Sequence, residues 1–364
     1  MGSVMALSKK PYKGTRDFFP AEKRVQNYIF QEMKKACELF GYEPYDGPLL
    51  EEVDLYKAKS GEELVDEQIY SFNDRGNRHV AIRREMTPTL ARMVAQIHRQ
   101  VPLPIRLYSI PNLMRYEKPQ KGRLREHWQL NCDIFGAPGH MGELEILQIA
   151  ITLLTNLGAT SKDFEILIND RFIVDATFSK IMQLKNQEVN KLYKIVDKAK
   201  KVSPDAFKEM ISELNLENEQ EKIILEYLSL QDLQQAATFL NKFGQIEIAK
   251  DISDLQLLLD KLNLLEYIKY DPTIVRGLDY YTGIVFEIFD KNPTNRRAIC
   301  GGGAYANLLE IFNENATPGV GFGLGDVTLT DFLKTHNLLP TELSLPINDL
   351  YLTVQIDDCL PDAL

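Results

Sequence analysis

From Glu22 to Phe40 the apolar residues Val25, Ile29, Met33, Ala36 and Phe40 recur every three to four positions, and Gly41 follows. This spacing predicts an amphipathic helix with a glycine stop, its apolar stripe suited to pack on a sheet. Short strand-like runs come next at Ala81 to Arg83, Ile105 to Ser109, Leu113 to Glu117 and Leu124 to Ile134. Between the first two, the pattern predicts a helix that Thr87 caps, with Pro88 at its first position. A further helix from Gly142 to Leu157 is expected to end at Gly158, and a strand from Phe164 to Ile168 precedes Asn169.

Between about Val174 and Tyr267 the texture changes. Glycine nearly vanishes, Lys, Glu, Leu and Ile dominate, and helical periods follow one another, one of them opening with Ser203 as cap and Pro204 behind it. After Tyr270 glycine returns together with β-branched and aromatic residues. The expected division is a core over residues 1–173, an inserted helical domain over 174–267, the resumed core over 268–335, and a linker from 336 to 364. Within that last stretch, Leu350 to Ile356 reads as a strand that begins a further domain, too short to bury a core of its own.

The densest chemical pattern lies on the run from Leu124 to Ile134. One parity carries Arg123, Arg125, His127, Gln129, Asn131 and Asp133, and the other carries Leu124, Trp128, Leu130, Cys132 and Ile134. Side chains alternate across a strand, so one face presents a row of polar groups while the other packs the single Trp into a core. A solvated outer face gives the same alternation; the mixture of a His, two amides and charges of both signs favours a face that lines a ligand site. Glu85, between a strand and a helix, suits either an ammonium group or the dipole of the helix start. The loop Val275 to Gly283 holds Arg276 between turns beside Tyr280 and Tyr281. That arrangement suits recognition of phosphate or carboxylate by a guanidinium fork, or equally a surface Arg with two core-edge tyrosines. Gly301-Gly302-Gly303 is expected to follow a strand, Ala298 to Cys300, and to open a helix near Tyr305. Gly301, Gly303 and Ala306 formally match a dinucleotide-binding fingerprint, but the βαβ units such a fold requires do not follow. Gly319, Gly321, Gly323 and Gly325 instead alternate with Val320, Phe322 and Leu324, a strand with one bare face that lets something large approach. No Walker sequence is present.

Composition narrows the field. With 44% hydrophobic and 26% charged residues the chain of 364 has ordinary globular make-up. Its apolar runs, such as Ile149 to Leu154, are far too short to cross a bilayer. The net charge of −10 excludes a protein that coats nucleic acid by bulk electrostatics, so any such contact is local. Cys37, Cys132, Cys300 and Cys359 are widely spaced in apolar surroundings and read as buried thiols; neither they nor the scattered histidines show metal-ligand spacing. The N-terminus has no apolar secretory core, and a cytoplasmic location is expected.

Taken in order, GTRDFFP (Gly14 to Pro20), Arg84-Glu85-Met86-Thr87, RYEKPQKGRLREHWQLNCDIFG (Arg115 to Gly136) and VRGLDYYTGIVFEIF (Val275 to Phe289) strongly resemble the histidyl-tRNA synthetases, class II aminoacyl-tRNA synthetases. The likeness runs over nearly the whole chain. It implies an α+β fold: a mainly antiparallel six- to seven-stranded sheet flanked by helices, an inserted all-helical domain, and a C-terminal anticodon-binding domain of which residues 336–364 hold only the start. It also implies a homodimer formed through the Gly41 to Tyr56 region around Pro48, with no membrane association, acting on ATP with Mg2+, L-histidine and the tRNA for histidine. By resemblance Arg115 and Arg276 are catalytic, on the α-phosphate. Glu117, His127, Arg123 and Arg125 join Arg115 in binding ATP, with Glu117 near the adenine amino group, His127 stacked on the base and the other two arginines on the polyphosphate. Glu85, Thr87 and Gln129 take the α-amino group of histidine, while Asp133 and Tyr281, with Arg276 and Tyr280, complete its pocket.

Lys191, Lys194, Lys198, Lys200 and Lys201 face either the tRNA acceptor arm or, more in keeping with a run of helical lysines, plain solvent. The chain departs from the family pattern in two places. Ala304 and Ala306 stand where an Arg and an Asp are common, and Thr328 stands where an arginine usually grips ATP, so either another cation such as Arg296 or Arg297 serves, or ATP binds in a different geometry, or catalysis is impaired. These departures keep one rival open: a histidine-sensing regulatory subunit of ATP phosphoribosyltransferase, which resembles these synthetases without aminoacylating. A dinucleotide-binding oxidoreductase is the weaker third reading.

Overall fold

The computed structural model describes residues 7–58, 68–199, 202–275 and 281–344. Arg276, Tyr280, Lys200, Lys201, Cys359 and the strand expected at Leu350 to Ile356 lie outside the described residues. The first helix, α1 (Pro20–Leu39), buries Ile29, Met33, Ala36 and Cys37 on one stripe and ends where Gly41 takes a φ of +76°. Three short elements follow, β1 (Glu43–Pro44), β2 (Leu50–Glu52) and α2 (Val53–Lys57), and then β3 (Ser71–Asn73) and β4 (His79–Ile82). Helix α3 (Thr87–Ile97) is capped by Met86 without a side-chain hydrogen bond, so Thr87 is its first residue and not its cap. That moves Pro88 one position inward, to a place where its missing N–H is still an orphan of the first turn.

The central strands are β5 (Ile105–Ser109), β6 (Asn112–Met114) and β7 (Glu126–Phe135). The run expected to reach Glu117 stops at Met114, because beyond it the chain turns out along the Lys118 to Gly122 hairpin. Helix α4 (Met141–Asn156) is apolar nearly all round, as a helix covered on two sides must be. It lies against β7 on one side and α1 on the other. After β8 (Phe164–Asp170) and α5 (Arg171–Asp175), a six-residue π-helical turn, Ala176–Ile181, leads into a series of helices. These are α6 (Asn186–Val196), α7 (Pro204–Ser212), α8 (Asn218–Leu228), α9 (Leu233–Lys242) and α10 (Ile246–Lys261). Ser203 does cap α7, its Oγ accepting from the Ala206 N–H at 3.3 Å. The helices are tied to the sheet by Tyr227, whose hydroxyl donates to the Pro272 carbonyl at 2.8 Å and accepts from Asn169 Nδ2 at 3.0 Å. Lys191, Lys194 and Lys198 are exposed on α6 and the turn after it.

The chain returns to the sheet through β9 (Ile268–Tyr270), β10 (Ile284–Asp290), β11 (Cys300–Tyr305) and β12 (Gly319–Gly325), which runs straight into α11 (Asp326–Thr335). Among the described residues the main sheet has nine strands in the order β1-β5-β7-β12-β11-β10-β8-β9, with β6 paired to the first half of β7. The pairs from β5 to β8 are all antiparallel, and only the two outermost pairs are parallel. The sheet is thus larger than the resemblance implied, by short edge strands.

Gly301, Gly302 and Gly303 sit inside β11 and do not form a turn that opens a helix, so the dinucleotide fingerprint is overturned. Antiparallel pairing with β10 and β12 needs flat backbone there, and a Cβ on Gly302 would lie 2.4 Å from the Gly321 carbonyl oxygen. Trp128 is only half-buried, meeting Phe18 edge-on at 5.3 Å, whereas Leu130, Cys132 and Ile134 on its parity are fully packed. Cys37, Cys132 and Cys300 are buried free thiols. Among the described residues no helix is long and apolar enough to cross a membrane.

Because the β11–β12 contact leaves no room for a methyl group, Gly302→Ala should lower stability by about 1–3 kcal/mol, the usual cost of overpacking. Urea denaturation followed by circular dichroism measures this, and an unchanged midpoint would contradict the packing described.

Candidate active site

Alternation along β7 sorts its residues between two environments. The odd-numbered His127, Gln129, Asn131 and Asp133 open into a cavity of about 500 Å3, while Leu130, Cys132 and Ile134 face α1 and α4. A strand rises ~3.3 Å per residue, so His127 and Asp133 stand roughly 20 Å apart along one groove.

The floor beside β7 is β12, whose Gly321, Gly323 and Gly325 also line the cavity. The bare face expected from the sequence is filled by the site's own side chains. A Cβ on Gly321 would fall 2.0 Å from Asp133 Oδ1, and one on Gly323 would fall 2.4 Å from Gln129 Nε2. Likewise Gly303 leaves space for the Tyr281 ring, which a Cβ would meet at 2.6 Å. Three glycines thus clear the space in which Asp133, Gln129 and Tyr281 sit.

At the Asp133 end the carboxylate is buried and accepts from the Tyr305 hydroxyl at 2.5 Å. Burial raises its pKa to about 7, and the tyrosine bond acts against that rise. Gln129 Nε2 donates to Asn131 Oδ1 at 2.7 Å, and Asn131 Nδ2 donates back to the Gln129 carbonyl at 3.0 Å, which fixes both amides. Glu85 is buried at the β4–α3 junction with Thr87 beside it on the cavity wall. Arg84 Nε lies 3.4 Å from Glu85 Oε1, yet among the described residues that oxygen accepts no hydrogen bond. A buried carboxylate oxygen left open toward a cavity suits a ligand ammonium.

The other end is cationic. Arg115, Arg123, Arg296 and Arg297 line it, Arg115 Nε donating to the Arg84 carbonyl at 3.0 Å and Arg123 forming a two-pronged ion pair with Glu117. His127 is held neutral, its pKa pushed down to about 3, chiefly by burial and then by the guanidinium charges of Arg115 and Arg16. A neutral flat ring in such surroundings offers a stacking surface without adding charge.

The structure brings together Glu85, Thr87, Arg115, Glu117, Arg123, His127, Gln129, Asp133 and Tyr281 around one cavity, and leaves Arg125 out. Arg125 donates to the Glu117 carbonyl at 3.0 Å and to the Tyr12 hydroxyl at 2.8 Å, and lies over the Tyr116 ring. The N-terminal stretch draws it away: the Arg125 N–H also donates to the Gly14 carbonyl at 2.8 Å. Tyr305 is the site residue that no sequence motif marks. Reading Cys300 to Tyr305 as a strand would have put Tyr305 on the parity of Gly301 and Gly303, facing the same side.

A family model described as histidyl-tRNA synthetase matches residues 14–327. The histidine–tRNA ligase of Leptospira biflexa is 45% identical over 353 residues, 94% of this chain and 79% of that protein. The chloroplastic/mitochondrial histidine–tRNA ligase of Arabidopsis thaliana is 37% identical over 96% of this chain and 71% of its own length. Among solved structures, the histidyl-tRNA synthetase of Nostoc sp. PCC 7120 superposes with a TM-score of 0.79 at 21% identity, over 98% of this chain and 82% of that one, a likeness of fold. The polar row of β7, the clearing glycines and the cationic end therefore belong to a chain that is a member of the histidyl-tRNA synthetase family.

Proposed function

We propose that this chain activates L-histidine with ATP, giving histidyl-adenylate and pyrophosphate, and passes the histidyl group to the 3′ end of the tRNA for histidine. The 45% identity to a histidine–tRNA ligase across 94% of the chain supports this over the regulatory-subunit reading. The observation that carries it at the level of chemistry is the polarity of the groove, with Glu85 and Asp133 toward one end and a group of guanidiniums, one of them paired to Glu117, at the other. An amino acid joined to a nucleotide has the complementary order of charges.

In this reading Glu85, with Thr87 and Gln129, takes the α-ammonium, and Asp133 with Tyr281 takes the imidazole. The substrate carboxylate then points toward the α-phosphorus, held by Arg115, while neutral His127 lies on the adenine. Arg276 and Tyr280 keep the roles the sequence resemblance gives them. The protein supplies no nucleophile; alignment and fixed positive charge lower the barrier as a carboxylate oxygen bonds to phosphorus and pyrophosphate leaves. Among the described residues no group of three or more ligating side chains is assembled for a metal. Mg2+ would come with the phosphates, and Glu287 is a carboxylate of the cavity wall that could hold it there. When bound it neutralises phosphate charge.

The division into a core interrupted by a helical insertion over 174–267, and a cytoplasmic homodimer, complete the proposal. Leu49 and Leu50, exposed beside Pro48, support an interface there.

Histidine-dependent exchange of labelled pyrophosphate into ATP tests the activity. Wild type should exchange, and Arg115→Ala should lose about 10²–10³-fold, the cost of removing one preorganised donor to developing charge. Histidine binding without any exchange would support the sensor instead.

Asp133 adds a pH dependence. Its folded pKa of about 7 lies above the ordinary 3.8, so the buried carboxylate costs stability that is absent below the ordinary value and grows until pH passes the folded one. Asp133→Asn should therefore be more stable than wild type at about pH 8, with a gain that shrinks by about pH 5, and should bind histidine more weakly. Denaturation at both pH values with calorimetric histidine titration measures this, and a pH-independent stability difference would contradict it.

A further inference from the structure

We infer that Arg297 is a polyphosphate-binding residue of this site, resting on the ligase reading and deepening it: its guanidinium takes the β- and γ-phosphates of ATP and the departing pyrophosphate. Arg297 belongs to the connection between β10 and β11. That connection is clasped to the hairpin before β7: Lys121 Nζ donates to the Thr294 carbonyl at 3.2 Å, and a Cβ on Gly122 would lie 3.2 Å from Arg297 Cδ. The side-chain stem thus runs against the hairpin tip and the head enters the cavity, whose wall it helps to form.

Three features make this an anion site. Arg297 is half-buried and makes no hydrogen bond or ion pair among the described residues, so its five donors are uncommitted. It shares the cavity wall with Arg115 and Arg123, and its charge together with that of Arg115 adds to burial in lowering the pKa of Arg123. Four guanidiniums, those of Arg115, Arg123, Arg296 and Arg297, line the cavity, with Glu117 paired to Arg123. Such an excess of like charge around an enclosed space is stabilised by a polyanion, and a fork of parallel donors matches phosphate oxygens.

Thr328, at the start of α11, explains the space. Its Oγ1 donates to the Ile299 carbonyl at 3.2 Å and its methyl lies 3.6 Å from the same hypothetical Cβ on Gly122. Thr328 and the Arg297 stem therefore flank a single point, and a short side chain at 328 leaves the room beside it to the arginine. In the reaction, the carboxylate oxygen's electron pair forms the bond to the α-phosphorus. The bond from that phosphorus to the bridging oxygen breaks, and its electrons remain on the pyrophosphate, where Arg297 meets the new charge.

The test uses the full chain with Arg297→Ala and Arg297→Lys, and inorganic tripolyphosphate and adenosine as separate probes. Calorimetric titration with histidine alone should match wild type in both variants, which shows the fold and the amino-acid end intact. Tripolyphosphate affinity should fall at least tenfold in Arg297→Ala and less in Arg297→Lys, while adenosine affinity stays within threefold. Pyrophosphate exchange should drop by about 10²-fold in Arg297→Ala. Unchanged tripolyphosphate affinity, or an equal loss of adenosine or histidine affinity, would overturn the assignment. Absence of exchange in wild type with tripolyphosphate binding retained would sink the ligase reading and leave the anion site standing.

Discussion

The site depends on a steric condition between two neighbouring strands: the carboxylate of Asp133 occupies the space that a side chain on Gly321 would need. A methyl carbon there would sit 2.0 Å from Oδ1 and 2.8 Å from the Cys132 carbonyl, so neither group has an easy retreat. The same relation holds between Gln129 and Gly323. One strand supplies function and the next supplies vacancy. A sheet with ordinary side chains on both would be filled over the length where the groove now lies.

That condition has an electrostatic companion. Polar groups withdrawn from water must find partners or lose their charge. Asp133 answers with the Tyr305 hydroxyl and a pKa near neutrality, Glu117 with Arg123, and His127 by staying unprotonated amid guanidiniums. The two ends of the groove are distinguished by these answers. The opposite face of the sheet needs none of them, because Leu130, Cys132 and Ile134 meet the aliphatic surfaces of α1 and α4.

Much of this was legible in the sequence where periodicity and burial agree. The helix from Glu22, the strand Ile105–Ser109 and the two-faced parity of β7 follow from the spacing of their apolar residues. Reading failed where local chemistry admits two structures. Three consecutive glycines suit a phosphate-binding turn as well as a strand pressed between neighbours, and the deciding contact, from Gly302 to the Gly321 carbonyl, comes from a segment about twenty residues away. Arg125, given a polyphosphate role by resemblance, is held instead by Tyr12 and the Gly14 carbonyl, contacts from a segment more than a hundred residues away. For Arg297 the sequence could name only a candidate pair with Arg296, and the clasp between two loops shows how it reaches the cavity.

The N-terminal stretch before α1 closes the structure from far away. Arg16 pairs with Asp326 at 2.7 Å across 310 positions of sequence, and the other oxygen of Asp326 accepts from the Trp128 N–H at 3.0 Å. Arg16 is thus held by an aspartate at the start of α11, behind the strand that carries His127. Long-range closure of this kind slows folding, since the connecting loop must be confined before its contacts repay the entropy. Because Val327 and Thr328 of α11 line the same cavity as Arg115, Arg123 and Arg297, the groove is walled only when segments from both sides of the helical stretch come together.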